Sequence, residues 1–251
     1  MRKSIMKLSS TVLPLGLMMA MTSCTDDDMP RQGFARAEIQ ATATSNSSTS
    51  PVTIGDFSVD HFSVGVRNLD LMFLHHDAVA AGVTLENGTL KSNADSPLGR
   101  ASMKAQHLVL LTAGGIQNTS LGTGETPRGI YNEIKFNLNK ITETQGHEAA
   151  SGKSLFLAGT VNEKPVHIWF ESEETISAPA KSSEGYEIDG QTLFLMKFNL
   201  DKILANVNFD NATDFNKDGT IEIGPNNADA NGSIYNVIKN NLAASVEFEK
   251  K

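Results

Sequence analysis

From Val52 onward, apolar side chains fall on alternate positions. Phe57 and Val59, then Phe62, Val64 and Val66, are interleaved with His61, Ser63, Gly65 and Arg67, with a register slip at Asp60-His61 that marks a β-bulge. Leu69, Leu71 and Phe73 carry the alternation on. A period of two is the pattern of a strand with one buried face. Further strand-like runs cover 106–112, 131–138, 154–161, 166–171 and 192–200. Turn clusters separate them: Glu86-Asn87-Gly88, Thr112-Ala113-Gly114-Gly115, Asn162-Glu163-Lys164-Pro165 and Asp189-Gly190. The runs at 154–161 and 166–170 predict a hairpin, with Pro165 tolerated at a strand start. Short strands at this spacing predict a mainly β fold, an antiparallel β-sandwich occupying 52–251.

Two stretches change period. Leu200, Ile203, Leu204 and Val207 stand at helical spacing and predict a short helical turn. Over 233–244, Ile234, Val237, Ile238 and Leu242 form one apolar stripe, with Asn231 or Ser233 as N-cap. This is the one C-terminal helix, and a closing strand over 245–248 returns to the sheet.

The N-terminus follows a different rule. Arg2, Lys3 and Lys7 precede an apolar run from Val12 to Met21, then Thr22-Ser23-Cys24 and three aspartates. A basic start, a short apolar run and small residues at the cut predict a secretory signal over 1–23. The run is about ten residues, too short to span ~30 Å of hydrocarbon. Cys24 is the only cysteine, so a disulfide framework is impossible and the body must fold on its core. Residues 41–50 are Ser/Thr-rich and poor in bulky apolar groups, which predicts a tether over 24–51. The formal net charge is −8. Loss of the leader removes three bases and no acid, so the remainder is more acidic still. That balance excludes nucleic acid as a partner and argues against electrostatic adhesion to anionic lipid.

Placed directly after Thr22-Ser23, Cys24 resembles the lipobox cysteine of bacterial lipoproteins, whose thiol is acylated and becomes the new N-terminus. Asp26, Asp27 and Asp28 resemble the acidic export signal of Bacteroidetes surface lipoproteins. The two resemblances imply a lipid-anchored protein of the outer membrane that faces the cell exterior; a merely solvated acidic tether would leave it facing the periplasm. Further along, the order Gly129-Ile130-Tyr131-Asn132-Glu133-Ile134-Lys135-Phe136, then Leu155-Phe156-Leu157-Ala158-Gly159-Thr160, is similar to uncharacterised β-sandwich lipoprotein domains of Bacteroidetes. So are Phe198-Asn199-Leu200-Asp201 and Val237-Ile238-Lys239-Asn240-Asn241-Leu242. The layout is distantly similar to the copper-binding proteins of methanobactin operons.

The sharpest chemical signal is the run 214–222. Asp214, Asn216 and Asp218 occupy loop positions 1, 3 and 5, Gly219 position 6 and Thr220 position 7, a spacing that resembles an EF-hand loop. Alternate residues of a tight loop can converge their oxygens on Ca²⁺, so calcium is the expected cofactor. Pro225 stands at position 12, where a bidentate Glu belongs, and Asp229 or Glu222 would have to complete the set. A plain Asp-Gly turn is the competing reading. His75 and His76, followed by Asp77, are the transition-metal candidates, with His61 and His107 as neighbours across the sheet. Adjacent strand residues point to opposite faces, so His75 and His76 share a metal only in a loop. His147 and His167 show no partners, and His167 is expected on the solvent face. Trp169 and Tyr186 are candidates for a sugar-binding face; Glu171, Glu173 and Glu174 are expected at a solvated strand end.

No G-x-S-x-G, H-E-x-x-H or P-loop occurs. Gly122-Thr123-Gly124 lacks a strand–helix frame and is expected to be a flexible loop. These patterns point to a non-enzymatic binding or structural module with a glycan or protein ligand. The alternatives are a periplasmic copper-binding lipoprotein and a glycan-active enzyme.

Overall fold

The computed structural model describes residues 34–47, 51–73, 82–86, 89–92, 105–142, 144, 146–226 and 229–251. The strands run in chain order as β1 (Phe34–Thr44), β2 (Val52–Ile54), β3 (Phe57–Phe73), β4 (Gly82–Glu86), β5 (Thr89–Ser92), β6 (Gln106–Thr112), β7 (Gly115–Ile116) and β8 (Asn118–Pro127). They continue as β9 (Gly129–Leu138), β10 (Leu155–Val161), β11 (Lys164–Phe170), β12 (Thr175–Pro179), β13 (Tyr186–Ile188) and β14 (Thr192–Asn199). Helix α1 (Leu200–Ile203), β15 (Ile221–Ile223), helix α2 (Gly232–Leu242) and β16 (Val246–Lys250) close the chain.

The 17-residue strand β3 joins two sets of partners in the sandwich. Its first half pairs with β10 on one side and with β2 and β6 on the other; its second half pairs with β9 and β4. From β4 the ladder continues through β5, β8, β1 and β14 to β16, while β10 leads through β11 to β15. The expected bulge is present: Ala158 pairs with His61 and Gly159 with Val59, so Asp60 is the extra residue. Phe57, Val59, Phe62, Val64 and Val66 consequently all enter the main core. There Phe198 of β14 meets Phe62 and Phe136 edge-on, each at 5.9 Å between ring centroids.

The β10–β11 hairpin closes on Asn162-Glu163, both at positive φ (49° and 67°), the backbone a type I′ turn needs. Not every pairing is antiparallel. β1–β14, β5–β8 and β11–β15 are parallel.

The helical expectations hold with one change. Ile234, Ile238 and Leu242 of α2 are buried, while Val237 is only half-buried. Asn231 sits at the N-cap position of α2, but its side chain does not cap the helix.

The tether expected over 24–51 is overturned across 34–44. β1 lies between β14 and β8, and Ala35, Ala37, Ile39, Ala41 and Ala43 are each at most 1% exposed. Alanine at alternate positions carries little hydropathy, so the stretch looks like a linker. In the fold small residues are what the position requires, since Ala37 pairs with Gly124 and Ile39 with Gly122. The same register corrects Gly122-Thr123-Gly124 from a loop to part of β8. Ile39→Ala is expected to cost about 2–4 kcal/mol in urea unfolding, the penalty of a core truncation rather than of a change in a tether.

Candidate functional site

The layer β3–β10–β11–β15 turns one face to the main core and the other outward. On the outer face the registers set His61, Ala158, His167 and Glu222 side by side, one per strand. The next row holds Ser63, Phe156 and Trp169. This face is not open to solvent. Residues 139–142, 144 and 146–153 lie over it, tied to β3 by the Asn139 amide donating to the Gly65 carbonyl (2.9 Å) and closed on themselves by the Ile141 amide donating to the Lys153 carbonyl (2.8 Å). Gly65 must be glycine, because an added Cβ would collide with the Asn139 carbonyl oxygen. Ile141 and Ala150 of the roof complete a small second core with Phe156, Ala158 and Trp169.

His147 hangs from this roof between the two strand histidines. Its ring centroid lies 5.2 Å from that of His61 and 5.4 Å from that of His167, and all three rings rest against Phe156. His61 is 6% exposed. Burial, then the proximity of His147 and His107, pushes the His61 imidazole down to about 4. Burial and His147 also lower His167, against an opposing pull from Asp60 and Asp218. His61 Nε2 and His147 Nδ1 are buried with no hydrogen-bond partner. Leaving such a nitrogen dry and unpaired costs about 1–3 kcal/mol and calls for an explanation. The rings are gathered without being closed on a point: among the described residues, no three His, Cys, Asp or Glu side chains converge on one cation position.

The expectation that His147 and His167 lack partners is therefore overturned. His167 does face away from the core, yet it is roofed and half-buried. His107 sits on β6 opposite Gly65 and affects His61 through its charge. His75, His76 and Asp77 lie outside the described residues, as do Cys24, Asp26, Asp27 and Asp28.

The 214–222 loop borders the same wall, because Glu222 pairs with His167. Its fold is set by short-range acceptors. Asn216 Oδ1 accepts from the Asp218 amide, Asp218 Oδ1 from the Thr220 amide and Asp214 Oδ2 from the Gly219 amide. Lys217 and Gly219 adopt positive φ, 62° and 94°. Asp229 is 1% exposed, and its carboxylate accepts from the Phe215, Asn216 and Glu222 amides at 2.8, 3.1 and 2.7 Å. Asn231 adds a second clasp, donating to the Thr213 and Glu222 carbonyls and accepting from the Thr213 amide. That is why it does not cap α2. Asp214 Oδ1 is buried with no partner. Burial, then Asp218 and Asp229, raise the Glu222 carboxyl.

Trp169 does not form an open sugar platform. It is 7% exposed, and Gly224 lies so close to its ring that a Cβ there would clash. Lys153 Nζ stacks 4.5 Å over the indole and also bonds Glu171 Oε1, which accepts from Trp169 Nε1. The lysine holds the Glu171 carboxyl below the usual range. Tyr186 packs on Phe194 and Phe248 of the main core. Of the exposed large apolar side chains among the described residues, Ile116, Ile130 and Phe215, only Phe215 at the loop tip is aromatic, at 73% exposure.

No protein family, no curated protein and no solved structure matches this chain.

A histidine whose folded value lies below its unfolded value destabilises the fold once it must take up a proton. His61 therefore leaves stability intact above about pH 6.5 and erodes it as pH falls toward about 4, by up to roughly 3 kcal/mol. His167 acts in the same direction. Urea midpoints of chelator-treated protein should fall across that window, and His61→Leu should flatten the dependence.

Proposed function

We propose that this protein is a lipid-anchored, non-enzymatic binding or structural module of the outer membrane, held at the cell exterior through Cys24. Its 214–222 loop takes up Ca²⁺ as a structural ion. The anchoring rests on the basic–apolar–Cys24 order and on Asp26, Asp27 and Asp28. Among the described residues no helix is long and apolar enough to cross a membrane. Attachment runs through acyl chains, of which stable anchoring needs more than one.

The observation that carries the calcium reading is Asp214, whose Oδ1 is buried and unpaired in a loop that also carries Asn216, Asp218 and Thr220. Asp229 contributes by shaping the loop through three amides; its carboxylate is engaged as an acceptor there. A bound cation would satisfy Asp214 and offset the repulsion from Asp218 and Asp229 that, after burial, raises Glu222. The aromatic offered to a glycan or protein ligand is then Phe215, on the tip of the same loop, in place of Trp169.

Thermal melting of the full-length protein in detergent, with and without chelator, tests the ion. At a hundredfold excess of Ca²⁺ over Kd, stabilisation of about 2.7 kcal/mol is expected. It should vanish in Asp214→Ala and Asp218→Ala, and no shift in the parent protein would refute the site. For the anchor, intact-mass analysis of membrane-extracted protein should find an acylated chain beginning at Cys24. Protease treatment of intact cells should remove the body from the parent strain and spare it where Asp26, Asp27 and Asp28 are alanine.

A further inference from the structure

We propose that His61, His147 and His167 form a binding site for a transition-metal dication, roofed by the segment that carries Ile141, His147 and Ala150 and floored by Phe156 and Ala158. This inference is independent of the calcium reading, which uses oxygen ligands from a different element.

Three observations carry it. The first is placement. His61 and His167 flank Ala158 in one cross-strand row, so only a small side chain stands between the two imidazoles. Imidazoles that share a metal through N–metal bonds of ~2.0–2.1 Å hold their ring centroids roughly 5 Å apart. The spacings of 5.2 and 5.4 Å on either side of His147 match that separation, and a metal would draw His61 and His167 toward it from the two sides. The second is the orphaned nitrogens. His61 is more than nine-tenths buried, and its Nε2 is buried with no hydrogen-bond partner; His147 Nδ1 is likewise unpaired. A dry, apolar miniature core has no need of three imidazoles, whereas a metal gives each unpaired nitrogen a bond. The third is the surrounding charge. Asp60 and Asp218 act on His167, and Glu222 stands beside it on β15, so carboxylates border the cluster and favour a cation without belonging to the ligand set.

The donor set selects the class of ion. Neutral imidazole suits Zn²⁺ and Cu²⁺, with Cu²⁺ the tighter, and is a poor match for Ca²⁺ or Mg²⁺, which want oxygen.

The test is equilibrium dialysis of chelator-stripped, full-length protein in detergent against Zn²⁺ and, separately, Cu²⁺. One equivalent of either ion is expected at this site. His61→Ala, His147→Ala and His167→Ala should each weaken it by at least about tenfold. His75→Ala, His76→Ala and Asp214→Ala should leave that equivalent in place, the last separating this site from the calcium loop. His147 lies in the roof, outside every strand, so its variant decides the matter even if a strand histidine proves essential for folding. Retention unchanged in His147→Ala, loss of the ion in His75→Ala or His76→Ala alone, or displacement by millimolar Ca²⁺ would overturn the assignment.

Discussion

A single extra residue in β3 decides the character of both faces of the layer. Phe57 and Val59 face the core, and a strict period of two would send residue 61 inward beside them. Inserting Asp60 as a bulge shifts the register, so His61 turns outward with Ser63 while Phe62, Val64 and Val66 stay inside. The core keeps its continuous run of aromatic and branched side chains, and an imidazole that would be an unpaired polar group in the main core is placed on the second face. Without that residue the row His61–Ala158–His167–Glu222 would not exist.

The second face then presents its own problem. A sheet surface bearing Phe156, Ala158 and Trp169 needs cover, and the other layer of the sandwich is already committed to the opposite side. The segment that carries Ile141, His147 and Ala150 supplies it, anchored where Gly65 lets two backbones approach. Trp169 is held by Gly224, Lys153 and Glu171, which turns an aromatic that could meet a ligand into a structural one.

How much of this was legible depended on whether a signal was local. The alternation of β3, the bulge, the β10–β11 hairpin and the α2 stripe are each written in consecutive residues, and all were recoverable. β1 was not, because Ala35, Ala37, Ala41 and Ala43 bury little area apiece and their fitness shows only against Gly122 and Gly124 of β8. The 214–222 loop was legible as a pattern, but the role of Asp229 was not: it organises the loop by accepting three amides, a fact of backbone geometry. The histidine cluster was the least visible feature. His61 and His167 could have been joined by pairing β3, β10 and β11 on Ala158, once the bulge was counted. Nothing near His147 signals that its loop crosses that face.

The polar groups collect at the margin of the roof for an electrostatic reason. Under the roof the environment is dry enough to hold the His61 imidazole below its ordinary value, while Asp60 beside it in β3 and Asp218 in the loop are exposed and Glu222 is half-buried. Asp218 acts electrostatically on both sides of this boundary. It raises Glu222 within the acidic loop and favours the protonated form of His167 across the wall. The charge of Asp218 acts on His167 through space, so the roofed cluster and the acidic loop are electrostatically one neighbourhood although their donor chemistries differ.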